Sequence, residues 1–196
     1  MVAAGSRELT FGTVKGKARL VAVADGRELA RIAHDTPVNA VAFSPDGTRL
    51  AIASDYNTVR LLVVADGHEL ARVSHDDVFT AVAFSPDGRL LATASDDKTA
   101  RLLVVADGRE LARIIDDGAV NAYDGAVNAV AFSPDGARLA TAGQDGKIRF
   151  WSTTLDDMLR RLCLDPGRNP LQAEWRRYVS DVPWQPTCED WPSPDD

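Results

Sequence analysis

The chain has 196 residues, 45% hydrophobic and 26% charged, which is the balance of a folded globular protein and excludes a disordered or collagen-like one. Its 22 basic and 29 acidic side chains give a formal charge of -7, the wrong sign for a general nucleic-acid binder. No apolar run approaches the ~18 residues of a membrane span. The N-terminus lacks the apolar stretch of a secretory signal, and two cysteines do not make a disulfide scaffold. These features predict a cytoplasmic protein with no membrane or nucleic-acid partner. Basic residues that are 18 Arg against four Lys, among many alanines, point to a GC-rich bacterial source.

Self-similarity organises most of the chain. ADGRELARI at Ala24, ADGHELARV at Ala65 and ADGRELARI at Ala106 recur every 41 residues. A second marker, AVAFSPDG, places Phe43, Phe84 and Phe132 at intervals of 41 and 48 residues. The longer interval has a visible origin, because DGAVNAY at Asp117 is followed directly by DGAVNAV at Asp124, a small tandem duplication in a loop.

In chain order, residues 1–6 carry no pattern and are expected to be disordered. Residues 7–33 form an incomplete repeat: Lys17-Ala18-Arg19-Leu20 matches Thr99-Ala100-Arg101-Leu102, but the preceding turn motif and first strand are missing. Full repeats follow over 38–74 and 79–115. In them the β-rich runs Val38 to Phe43 and Val78 to Phe84 end at Ser-Pro-Asp-Gly, with Pro second and Gly fourth as a type I turn prefers. Arg49 to Ser54 and Leu90 to Ser95 come next, then Val59 to Ala65 and Ala100 to Ala106, and finally Glu69 to Ser74 or its equivalent. Four short antiparallel strands per ~41 residues is the period of a propeller blade and fits no helical solenoid. A last blade, 126–152, lacks an outer strand.

These residues resemble the WD-repeat family, whose blades carry Gly-His, a Ser-Pro-Asp-Gly turn, Ser-x-Asp-x-Thr and a closing Trp-Asp. The resemblance covers residues 7–152 and implies a hydrogen-bonded tetrad of His, Ser or Thr, Asp and Trp in each blade. No blade here keeps all four. One has His34 and Ser54, with Tyr56 and Leu62 at the Asp and Trp positions; the next has His75, Ser95 and Asp97, with Leu103 for Trp; the last has Asp145 and Trp151, with Gly143 for Ser. We read these residues as structural struts rather than as a Ser-His-Asp nucleophile site, since the same residues recur as blade positions. The fold class expected is therefore all-β: a partial, open WD-repeat β-propeller of about 3.6 four-stranded blades, followed by a short α-helical C-terminal extension.

That extension has its own signals. All four tryptophans lie between Trp151 and Trp191, and six of the ten prolines follow Asp165. Thr154 can cap a helix with Leu155, Met158, Leu159 and Leu162 on one face. Asn169-Pro170 starts a second helix with Leu171, Trp175, Tyr178 and Val179 on its face. Residues 153–180 are thus expected to form a two-helix cap and 181–196 a Pro-rich tail. Gly167-Arg168-Asn169, Glu174-Trp175-Arg176-Arg177-Tyr178 and Thr187-Cys188 are similar to the motif that follows the repeats of actinobacterial multidomain WD-repeat proteins. The resemblance implies an interaction region that belongs to a larger signalling, kinase or STAND-type NTPase protein. Cys163 and Cys188 either pair or remain thiols, and with every histidine far upstream no zinc site is expected.

No nucleophile, phosphate loop or metal cluster rises above the repeat background, so the sequence predicts no enzyme, cofactor or metal. Comparison between repeats is more informative. The Ser-Pro-Asp-Gly and Ala-Asp-Gly turns barely vary, while the loops at the other strand ends differ in every repeat: HDTPVN, HDDVFT and the duplicated segment, then SDYNT, SDDKT and GQDGK. Variable loops on a uniform scaffold are where recognition resides. Asp35, Asp55, Tyr56, Asp76, Asp77, Asp96, Lys98, Tyr123 and Asp124 are therefore the candidate partner-binding residues, on an acidic face suited to a basic protein or peptide. The alternative is a self-assembly element that completes a propeller by homo-oligomerisation.

Overall fold

The computed structural model describes residues 2–4, 8–13, 17–22, 24–33, 37–54, 57–115 and 125–154. They form antiparallel sheets in strict chain order. Strands β1 (Val2–Ala4), β2 (Glu8–Thr13), β3 (Lys17–Ala22) and β4 (Glu28–Ala33) make the first sheet, and β5 (Val38–Phe43), β6 (Arg49–Ser54), β7 (Thr58–Val63) and β8 (Glu69–Ser74) the second. The third contains β9 (Phe79–Phe84), β10 (Leu90–Ser95), β11 (Thr99–Val104) and β12 (Glu110–Ile115), and the fourth β13 (Val127–Phe132), β14 (Arg138–Gly143) and β15 (Ile148–Ser152). Each sheet is a meander in which neighbours in sequence are neighbours in space.

The N-terminus departs from expectation. Val2–Ala4 pairs with Leu9–Phe11 inside the segment expected to be disordered, so the first sheet has four strands rather than an incomplete set. Three residues suffice to occupy the free hydrogen-bonding edge of β2, and they do so without the turn motif that marks the later repeats. The third strands end two residues earlier than predicted, at Val63 and Val104, because the Gly67 and Gly108 amides donate to those carbonyls and close the next turn. Apart from Thr153 and Thr154, the expected two-helix cap, the Pro-rich tail and the actinobacterial-type motif fall outside the described residues.

The Ser-Pro-Asp-Gly turns repeat one geometry. The Gly47 amide donates to the Ser44 carbonyl at 2.9 Å, the Ser44 hydroxyl donates to Asp46 Oδ1 at 2.6 Å, and that oxygen also accepts from the Thr48 amide. Gly47 sits at φ 71°, a left-handed conformation that turns the chain into the next strand without the penalty of a Cβ. The same bonds recur at Ser85 and Ser133.

Alternation along the strands decides how sheets stack. In β6, Leu50 and Ile52 point one way and Ala51 and Ala53 the other, and all four are buried. In the second and third sheets one face is therefore bulky and the opposite face is rich in alanine. The alanine-rich face of the second sheet (Ala40, Ala51, Ala53, Val59, Leu61) packs on the bulky face of the third (Phe79, Leu91, Leu103, Val105). The third sheet repeats the arrangement, with Ala92, Ala94, Ala100 and Leu102 against Val127 and Leu139 of the fourth. Between the first and second sheets, Ile32 lies against Val38, Leu50 and Leu62. Small against large lets neighbouring sheets interdigitate at native density. Hydrogen bonds also cross: Asn39 donates to the Phe79 carbonyl, Thr80 to the Val127 carbonyl and Arg49 to the Val105 carbonyl.

Candidate functional site

The variable loops meet the core at His75, between β8 and β9. Its ring is fully enclosed: Nδ1 donates to Asp97 Oδ2 at 2.7 Å, and Nε2 accepts from the Thr93 hydroxyl at 2.9 Å. The acceptor-only Asp97 carboxylate assigns a proton to Nδ1, and in the neutral ring Nε2 is then the acceptor for Thr93. Phe79 meets the ring edge-on at a centroid distance of 4.5 Å. Burial depresses the His75 pKa, outweighing the opposing pull of Asp97.

Asp97 is the centre of this network. Its Oδ2 accepts from His75 Nδ1, the Asp76 amide and Arg101 Nη2, while Oδ1 accepts from the Thr99 amide and hydroxyl. Burial alone would raise the carboxyl's pKa, but the bonds from His75 and Thr99 overcome it and hold it well below the usual carboxylate range. Arg101 extends the network outward, donating to the Ser74 carbonyl at 2.9 Å and reaching Glu110 at 3.4 Å. The result is a densely bonded cluster, in which Arg101 Nε is the one buried side-chain nitrogen among the described residues without a hydrogen-bond partner, and it pins the β8–β9 loop to the β10–β11 turn.

Ser95 does not join His75. Its hydroxyl donates to the Asp77 carbonyl at 3.1 Å and accepts from the Asp97 amide, so it braces the same two loops from below. Ser54 likewise closes its own hairpin by donating to the Thr58 carbonyl. In the fourth sheet Trp151 Nε1 donates to the Thr141 hydroxyl at 2.9 Å, and Asp145 takes Arg149 Nη2 at 2.8 Å. His34, Asp35, Asp55, Tyr56, Tyr123 and Asp124 lie outside the described residues.

Thr93, Thr99 and Arg101 were not singled out in the sequence, although one signal was available. An arginine recurs in the third strand of every sheet, as Arg19, Arg60, Arg101 and Arg149. In the first two sheets it pairs with the glutamate nine residues on, Arg19 with Glu28 and Arg60 with Glu69, both at 2.6 Å. Bonds from Arg72 and Arg60 hold Glu69 down at about 2.

Two pH-dependent losses follow. His75 and Glu69 both have folded-state pKa values below their unfolded ones, so each contributes stability at neutral pH that disappears as pH falls. For His75 the decline begins near its ordinary value of 6.5. For Glu69 it runs from 4.5 towards about 2. Thermal melts between pH 7 and pH 3 should show Tm falling in both windows, and His75→Gln should remove the first decline selectively; a flat profile would count against this arrangement.

Above the network, the exposed loops carry Asp76, Asp77 and Asp96, with Lys98 at their edge. Asp76 projects almost entirely into solvent, 88% exposed, although it lies 3.9 Å from Arg101. Partial burial raises the Asp96 pKa, and the charges of Asp77 and Asp97 push it further in the same direction. Lys98 occupies a left-handed position at φ 72°, and its aliphatic stem runs beside Gly125 of the next sheet. The opposite end of the sheets differs: Asp25–Arg27, Asp87–Arg89 and Asp107–Arg109 pair within their turns at 3.8 to 4.0 Å.

Stacked antiparallel meanders of three or four strands with inter-loop struts define a propeller-like repeat protein. The family model described as WD domain, G-beta repeat matches residues 26–61, 67–102 and 118–152, and the chain belongs to this family. None of the curated proteins compared with it matches the chain. WD repeats generally serve as non-catalytic scaffolds for protein–protein interaction.

Proposed function

We propose that the chain is a non-catalytic interaction scaffold whose acidic loop face docks a basic segment of a protein partner. One observation carries the reading: on the turn face Asp25, Asp87 and Asp107 each have an arginine two residues on, whereas on the loop face Asp96 sits in the field of the like charges of Asp77 and Asp97, and Asp76, 3.9 Å from Arg101, stays 88% exposed. A rigid support under a charged, sequence-variable surface favours recognition, and complementary charge speeds encounter and fixes orientation. The negative balance of the chain favours a protein partner over nucleic acid, and the low cysteine content is consistent with a reducing, cytoplasmic compartment.

Fluorescence anisotropy with a labelled Arg/Ser peptide tests the electrostatic component. Screening shortens the Debye length from about 30 Å at 0.01 M salt to about 8 Å at 0.15 M. Affinity is expected to weaken by about tenfold across that range. An affinity independent of salt would contradict the proposal.

A further inference from the structure

The fourth sheet repeats the docking face of the second but leaves it uncovered. By strand register, Ala129, Ala140, Ala142, Ile148 and Phe150 hold the positions of Ala40, Ala51, Ala53, Val59 and Leu61. In the second sheet those residues lie under the third, with Val59 and Leu61 only 1% and 3% exposed. In the fourth sheet Ile148 is 65% and Phe150 59% exposed, and they are the exposed large hydrophobics among the described residues. The polar fittings recur too. Asn128 matches Asn39, which donates to the Phe79 carbonyl, and Arg138 matches Arg49, which donates to the Val105 carbonyl. Asn128 and Arg138 are both exposed.

We infer that this face is an interface that receives the first sheet of a second copy of the chain. The same surface already accepts a sheet of the same repeat twice within the molecule, so its complement is known: a face with bulky residues in its second and third strands. The register of the first sheet sets Leu9 opposite Val21, the positions held by Leu50 and Leu62 in the second sheet. Arg19 and Val21, two apart on β3, share that outward face. Two copies joined in this way bring together twice the four sheets of the described residues, eight in all, within the about four to eight blades over which propellers close. Each copy then gives its last face and receives on its first, a head-to-tail contact that closes after two steps instead of growing into a filament.

Light scattering on the full chain at micromolar concentration tests this. The wild type is expected at twice the chain mass, and Phe150→Glu and Val21→Asp each at the single-chain mass with unchanged circular dichroism. Phe150→Glu changes a side chain that is exposed in the single chain, so its fold does not depend on it. If Val21→Asp fails to fold, Arg19→Glu on the same face replaces it with the same expected loss. A wild type at the single-chain mass overturns the inference, and is the result expected if another part of the chain covers the face. A dimer lost with Phe150→Glu but retained with the first-sheet variant overturns head-to-tail pairing in favour of two last sheets meeting face to face. A mass that grows with concentration overturns the closed ring.

Discussion

Asp97→Ala is expected to destabilise the fold by about 3–5 kcal/mol, the cost of removing one partner from a buried, hydrogen-bonded charge network. Five donors lose their acceptor at once, two of them the enclosed His75 ring and the Arg101 guanidinium. Neither loss is easily repaired by water, because both side chains lie almost wholly inside the protein. Denaturant unfolding measures the effect directly, and Tm should fall by about 10 °C. The comparison is Asp145→Ala, whose carboxylate serves a partly exposed Arg149 and whose loss should cost far less, as exposed ion pairs do. Equal effects at the two positions would show that the His75 network is not the principal strut.

Phe79→Ala should cost a similar amount, about 3–5 kcal/mol, by a different route. Phe79 is completely buried and lies where the bulky face of the third sheet enters the alanine-rich face of the second. The alanines opposite it cannot extend to fill a cavity, so little of the lost contact is recovered. Its edge contact with His75 also joins this inter-sheet core to the loop network. A double-mutant cycle of Phe79→Ala with Asp97→Ala should therefore give a coupling energy above about 0.5 kcal/mol. Strict additivity would mean that core and loops are stabilised independently.

What the sequence made legible was the repeat and its turns. Ser-Pro-Asp-Gly identified three hairpins because each residue has a separate geometric task there, from the Ser44 hydroxyl to the left-handed Gly47. Val2–Ala4 was illegible because so short a strand contains no periodicity, and its pairing depends on an edge supplied by β2. The site was legible only in part. His75 and Asp97 stood out as a polar pair recurring at family positions, whereas Thr93, Thr99 and Arg101 are ordinary strand residues until the sheets bring them around the ring. Ser95 had the right identity but a different partner, Asp77, because its hydroxyl points to the loop backbone rather than to the imidazole. An open arc of blades implies exposed end faces, but the residues that line the face of the fourth sheet were not legible in sequence. Ile148 and Phe150 look like any alternating strand positions, and only their equivalence to Val59 and Leu61 shows what they lack.

The loop network and the acidic surface belong to one account, in which a buried strut holds variable loops rigid enough to recognise a partner. Charge reversal on the surface alone tests it most directly. Asp76 and Asp96 are exposed, so the variant Asp76→Lys with Asp96→Lys should fold normally. Measured at low salt with the Arg/Ser peptide, this double variant is expected to bind at least about tenfold more weakly than the wild type while its melting temperature stays within a few degrees. Undiminished peptide binding by the folded variant would contradict the assignment of this face as the docking surface.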